Sequence, residues 1–209
     1  MEIHRFVSDL LSSNMYLITE GKAALVIDPF RDTSPADGLQ IERILLTHEH
    51  YDHISGVNAW KEKTGAPVLC SRPCGENIRS PRKNLSRIFE PFCELQTWIR
   101  LERLPDFDPN YSCEADKVFT DEMSFDWRGH RLRLSELPGH SEGSIGITLD
   151  EMYFFSGDSL LENSLTELRF PGGSRKQWEM VSLPKLETLP DGMKIFPGHF
   201  EPFQYKKTM

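Results

Sequence analysis

The sequence predicts a mixed fold of strands and helices whose chemistry is gathered on loops at strand ends. Three observations carry this. Short apolar runs such as Ala23–Ile27 and Ile44–Leu46 recur between turn-forming residues, the pattern of buried strands. Helical spacing (Val57, Trp60) falls between two such runs, so 41–70 reads as a β-α-β unit. Five of the 7 His follow predicted strand ends, where α/β architecture places binding residues.

Taken in order, residues 2–7 and 14–19 alternate as strands, with Ser12-Ser13-Asn14 as the turn between them. Ala23–Ile27 is a strand that ends at Asp28-Pro29, and 31–38 is a loop or a short helix. Ile41–Thr47 is the next strand, 54–63 a helix closed by Gly65, and Pro67–Cys70 another strand. Residues 71–117 hold five prolines and scattered aromatics, and read as an insertion or lid; Phe92, Leu95, Trp98 and Ile99 have helical spacing within it. Met123–Trp127 and Arg131–Leu137 alternate about a turn at Arg128-Gly129-His130. Residues 145–149 and 152–156 are strands, Gln177–Leu189 is a helix interrupted or restarted at Pro184, and Met193–Phe196 is a last strand.

The chain has 209 residues, which fits one large domain or two small ones, and is long enough to bury a core without disulfides. No apolar run reaches the roughly 18 residues of a membrane span. The N-terminus lacks a basic region followed by an apolar stretch, so a cytoplasmic protein is expected. The net charge of −8 does not suit a nucleic acid, although a local basic patch is compatible with it. Cys70, Cys74, Cys93 and Cys113 form no CxxC pair and read as reduced, semi-buried thiols; a zinc knot on Cys70-x3-Cys74 is the competing reading.

The densest chemistry is His48-Glu49-His50-Tyr51-Asp52-His53, in which four of six side chains are metal-capable. Imidazole and carboxylate are ligands for Zn²⁺, Fe and Mn. His140, Asp158 and His199 also follow predicted strands, and two of them share one frame, Pro138-Gly139-His140 and Pro197-Gly198-His199. His4 and His130 have no such context and read as structural.

With these motifs in this order, the chain resembles the metallo-β-lactamase superfamily of metal-dependent hydrolases. The match is HxHxDH, the PGH at 138–140, Gly157-Asp158, the late PGH, and the Asp-bearing turn Ile27-Asp28-Pro29. The resemblance implies an α+β fold, a four-layer αββα sandwich in a single domain over 1–209, with 71–117 as an insertion or lid. It implies two Zn²⁺ per chain, with Fe or Mn as alternatives. One metal takes His48, His50 and His140, and the other takes Asp52, His53 and His199. Asp158 bridges them, and Asp28 supports a ligand from behind. A water between two such metals loses its proton near neutral pH and becomes the nucleophile. Asp52 orients that nucleophile or takes its proton.

Within the superfamily the chain is most similar to the glyoxalase II (hydroxyacylglutathione hydrolase) group, which implies a small-molecule thioester or related ester or lactone as substrate, with no nucleic-acid or membrane partner. The alternative is a mononuclear Fe(II) persulfide dioxygenase on His48, His140 and Asp158; a phosphodiesterase or a non-catalytic metal-binding accessory protein ranks behind both. Ten residues follow His199, so the C-terminal helical domain that holds glutathione in that group is not expected. Two further expectations concern the pocket. Phe89, Phe92, Trp98, Phe107 and Tyr111 pack the 71–117 segment onto the sandwich rather than wall a pocket. The loop Arg169–Gly173 faces the groove, with Arg169 and Arg175 more at home on the surface than on an acidic substrate group.

Overall fold

The computed structural model describes residues 1–94, 106–162 and 164–207. Two six-stranded sheets face each other. The first holds β1 (Glu2–Val7), β2 (Asn14–Glu20), β3 (Ala23–Ile27), β4 (Gln40–Leu45), β5 (Val68–Ser71) and β6 (Lys117–Phe119) in sequence order. β1 to β3 are antiparallel, joined by tight turns, and β3 to β6 are parallel, joined by crossovers. The second sheet holds β7 (Glu122–Trp127), β8 (His130–Glu136), β9 (Ile145–Leu149), β10 (Tyr153–Gly157), β11 (Lys194–Pro197) and β12 (Phe203–Gln204). Only β10 and β11 run parallel there. This is the metallo-β-lactamase sandwich the motifs implied, with both sheets mixed.

The alternation of each strand sorts its side chains between layers. Tyr16, Ile18, Leu25, Ile27 and Leu45 point inward to meet Leu132, Leu134, Ile147 and Phe155 of the second sheet. Their neighbours Leu17, Ala24, Val26, Ile44 and Leu46 point outward under Trp60 and Ile78. On the far side, Phe154 and Ile195 lie under Leu186 and Leu189. Strands buried on both faces read as continuous apolar runs, which is why β3 shows no period of two.

The helices are short: α1 (Tyr51–Ile54), α2 (Val57–Thr64), α3 (Arg72–Asn77) and α4 (Phe89–Glu94) cover the first sheet, α5 (Arg175–Gln177) and α6 (Leu183–Glu187) the second. The single helix expected over 54–63 is instead two, broken at Ser55-Gly56. A β-carbon on Gly56 would stand 2.0 Å from the Phe30 carbonyl oxygen, so the chain passes too close there for any other residue. Gly65 closes α2 with φ +68. Between α5 and α6 a π-turn spans Trp178–Ser182, and Pro184 opens the segment after it, so the expected interruption is a widened turn. The two-residue β12 was not expected, because two residues show no period.

The described part of 71–117 packs on the first sheet. Ile78, Leu85, Phe89, Tyr111 and Cys113 are buried in its outer layer, and β6 pairs with β5 as the sheet edge. The helical spacing through Leu95, Trp98 and Ile99 lies outside the described residues, and nothing is read from the side chain of Phe92. Among the described residues, no helix is long and apolar enough to cross a membrane.

Candidate metal centre

β3, β4, β8, β10 and β11 all end on one edge of the sandwich, and the loops that leave them carry Asp28, His48, His140, Asp158 and His199. Asp28 turns away from β3 with φ +52. Its carboxylate accepts the Thr47 backbone N–H at 2.7 Å and the Thr47 hydroxyl, so the chain is pinned one residue before His48. His50 is extended and starts α1, which puts Asp52 and His53 on a helical turn instead of the expected loop. Tyr51 points the other way. Its ring meets Phe89 and Tyr111, and its hydroxyl accepts the Asp108 N–H.

The seven expected ligands converge. His48, His50 and His140 form one buried group, and Asp52, His53 and His199 form another. His140 Nε2 stands 3.0 Å from His50 Nδ1, and His53 Nε2 stands 3.3 Å from His199 Nε2. Asp52 Oδ2 lies 3.3 Å from His53 Nε2 and 3.4 Å from His199 Nε2. Asp158 lies between the groups: Oδ2 is 3.5 Å from His140 and 3.4 Å from His199, and Oδ1 is 3.6 Å from His53. Asp28 stands behind His53, 3.3 Å from its Nδ1. It also falls in a third group with His48 and His53, but Thr47 already occupies both of its oxygens.

The electrostatics divide the site. Burial, reinforced by neighbouring His53 and His50, holds His48 well below the usual imidazole range. Burial and His140 push His50 down to about 3. Both are therefore neutral at pH 7, the form that offers a lone pair. Burial also opposes charge on His199, but Asp158 and Asp52 outweigh it and raise the imidazole to about 10. For Asp158, burial is outweighed in turn by His199 and His53, and the carboxyl stays well below its ordinary range. Asp52 is lowered against burial by His53 and His199. Without a cation, a proton on the His53–His199 side is what keeps two buried carboxylates tolerable.

These residues fit a divalent metal. His48 Nε2 and Asp158 Oδ1 are buried with no hydrogen-bond partner among the described residues, a costly state unless a cation takes them. His140 donates Nδ1–H to the Glu167 carbonyl at 2.9 Å, which leaves its Nε2 lone pair facing the cluster. The nitrogen and carboxylate donors suit Zn²⁺ and also Fe and Mn.

Several supporting residues escaped the sequence reading. Glu49, which read as an intervening residue, is buried and accepts from Asn77 Nδ2, Ser141 Oγ and Gly143 N, tying the His48 and His140 loops together. Ser13 Oγ donates to the Asp52 carbonyl. Asn14 Nδ2 donates to the carbonyls of Pro197 and Phe200, and Tyr16 OH to Pro197. No local pattern marks these residues; their partners lie up to 186 positions away. The second PGH glycine has a cause beyond turning the chain: a β-carbon on Gly198 would stand 2.1 Å from Asp158 Oδ1.

The remaining candidates fall elsewhere. His4 is an exposed strand residue beside Glu2, and His130 begins β8 with Nδ1 at 2.6 Å from Asp150. Arg169 pairs with Glu167, and Arg175 stands 3.8 Å from Glu179. Phe170 does face the site, its ring 6.3 Å from His50 and 6.2 Å from His140. Phe89 and Phe107 pack on each other, and Phe89 and Tyr111 pack against Tyr51. All four cysteines are free and fully buried, deeper than expected.

Comparison with known proteins fits this geometry. A beta-lactamase hydrolase-like protein of Xylella fastidiosa is 28% identical over 93% of the chain, which spans 46% of that relative's length. A hydroxyacylglutathione hydrolase of a Shewanella species is 25% identical over 88% of the chain and 57% of its own length. Among solved structures, the BLEG-1 B3 metallo-beta-lactamase superposes with a TM-score of 0.79 at 24% identity, covering 97% of this chain and 94% of that one. TTHA1623 in a di-iron-bound form gives 0.73 at 24%, covering 96% and 94%. The profile of the metallo-beta-lactamase superfamily matches residues 8–199, and with that span the chain belongs to this superfamily.

Proposed function

We propose that the chain is a metal-dependent hydrolase of a thioester or a related ester or lactone, with two ions held side by side. The observation that carries this reading is Asp158, whose carboxylate reaches both ligand groups. His48, His50 and His140 would hold one ion, Asp52, His53 and His199 the other, and Asp158 both. When bound, such a pair supplies a water activated near neutral pH and polarises the substrate carbonyl. The chain's own residues do the rest. The Glu167 carbonyl orients His140, and Asp28 orients His53. Asp52 is held by its own carbonyl on Ser13, so its carboxylate is aimed before substrate arrives and can orient or accept a proton. Phe170, edge-on to His50 and His140, would offer an apolar surface to an acyl group beside the ligands. The Shewanella relative, a hydroxyacylglutathione hydrolase by name, is in keeping with thioester chemistry.

The test is a panel of thioesters, lactones, phosphodiesters and cephalosporins, run with metal content measured on the same sample. Two ions per chain and turnover of a thioester or lactone are expected. A second reading, a mononuclear Fe(II) persulfide dioxygenase on His48, His140 and Asp158, is favoured by the His140–Asp158 approach. One iron per chain, with oxygen uptake on glutathione persulfide and no ester turnover, would replace the first reading with this one.

A further inference from the structure

Outside residues 72–87, every described arginine meets a carboxylate or an aromatic ring, as Arg5 does with Glu201, Arg128 with Glu42 and Arg43 with Phe125. Within 72–87 the pattern inverts. Arg72, Arg82 and Arg87 are exposed and meet neither among the described residues; Arg79 alone has a carboxylate, Glu114, at 3.9 Å. Lys83 donates its ammonium to a neutral acceptor, Asn77 Oδ1, at 3.0 Å. These five cations share the segment with one acid, Glu76, in a chain of net charge −8. Like charges gathered in excess of their counter-charges repel, so stability alone does not account for them.

The segment that carries them is rigid. The backbone N–H groups of Lys83 and Asn84 both donate to the Ser80 carbonyl, and that of Arg87 donates to Pro81 at 2.8 Å. Asn84 is fully buried; its amide donates to the Ile78 and Tyr111 carbonyls, and its Oδ1 accepts the Ser86 N–H. Arg82, Lys83 and Arg87 therefore project from one compact double turn. A preformed cationic turn loses little entropy when a ligand binds.

Lys83 links this turn to the loops that carry the metal ligands. Asn77, which receives Lys83, donates to both Glu49 and Glu142. Glu49 lies between His48 and His50 in the chain, and Glu142 lines a cavity of about 580 Å³ together with Ser174 and Lys176.

We propose that this turn is an anion-binding rim that takes the phosphate groups of the substrate's leaving portion. The substrate class is a thioester or ester whose thiol or alcohol half is phosphorylated. Guanidinium forks match phosphate oxygens, and the four cations of this segment with no carboxylate partner among the described residues match several phosphate charges better than one or two carboxylates. The bond cut rests on the hydrolase reading; the binding does not. Hydrolysis adds water across the acyl C–S or C–O bond and yields a carboxylic acid and the free phosphorylated thiol or alcohol. A nucleic-acid strand would require cations continuing along its path, and the rest of the chain is acidic.

The test uses 3′-phosphoadenosine 5′-diphosphate as a probe in calorimetry, which needs no turnover. The whole chain is expected to bind it, more weakly as salt rises. Arg82→Gln with Arg87→Gln should weaken binding by about tenfold or more, with Lys83→Gln as an independent variant. All three positions are exposed, and thermal melting checks that the variants fold. Lys22→Ala, at the opposite sandwich edge, should bind as the parent does. No binding, or equal binding by parent and variants, overturns the rim. So does tighter binding of a single-stranded oligonucleotide that the same variants lose. Turnover of S-acetylpantetheine equal to that of acetyl-coenzyme A overturns the substrate class. Probe binding with no turnover of any ester keeps the rim and sinks the hydrolase reading alone.

Discussion

Asp158 Oδ1 occupies the space a β-carbon at residue 198 would fill, so Gly198→Ala forces the carboxylate or the His199 loop aside. The variant is expected to lose about half of the bound metal, read as ions per chain by elemental analysis. His199 supplies a second test at this scale. Its imidazole is raised to about 10 by Asp158 and Asp52 against burial. That proton stabilises the metal-free fold fully below pH about 6.5, and the stabilisation is lost as pH rises towards 10. The melting temperature of metal-free protein should therefore fall between pH 7 and 10, with the metal-loaded protein spared. Metal binding at pH 7 should release about one proton from this side, measurable by calorimetry in buffers of different ionisation enthalpy. Glu49 accepts three donors, one from α3 and two from the His140 loop. Glu49→Gln places an amide N–H against one of them and should cost about 1–3 kcal/mol in chemical denaturation.

At the scale of elements, the hairpin of β1 and β2 acts as a clamp on the second ligand group. Ser13 holds the Asp52 carbonyl and Asn14 those of Pro197 and Phe200, so one turn fixes both ends of that group. Asn14→Ala removes an amide donor from two carbonyls that keep Tyr16 and Arg5 as donors. It should cost about 0.5–1.5 kcal/mol and weaken the second metal to bind more than the first, seen as a widened gap between two titration steps. Equal weakening of both steps would make Asn14 a general stability residue. In the sequence Ser12-Ser13-Asn14 looked only like a turn. β2 begins at Asn14, and the turn's side chains work on loops far along the chain.

For the whole molecule, the face between the sheets binds the two halves of the site into one body. The first sheet supplies the His48–His53 loop; the second supplies His140, Asp158 and His199. Phe155 lies at the centre of that face, stacked on Phe196 and edge-on to Tyr16. Phe155→Ala should destabilise the fold by about 3–5 kcal/mol. It should also lower metal retention, because the halves lose their common packing; dialysis against a chelator would read this as faster loss of metal than in the parent.

The ligand set was legible in the chain because metal chemistry needs particular side chains, and His48, His50, Asp52, His53, His140, Asp158 and His199 stand in recognisable frames. The strands were legible because buried sheets demand continuous apolar runs. The break at Gly56 was hidden, since the Phe30 carbonyl that forbids a side chain there is a tertiary neighbour. So were Glu49, Asn14 and the Glu167 carbonyl, whose roles exist only once distant loops meet. Arg72, Arg82 and Arg87, without a carboxylate among the described residues, belong to this second kind. Sequence supplies their charge, but only the folded chain shows that the other described arginines have partners and that Lys83 reaches Glu49 through Asn77. Local chemistry and periodicity are written in neighbouring residues. Partnership across the sandwich is decided by which faces can be buried together.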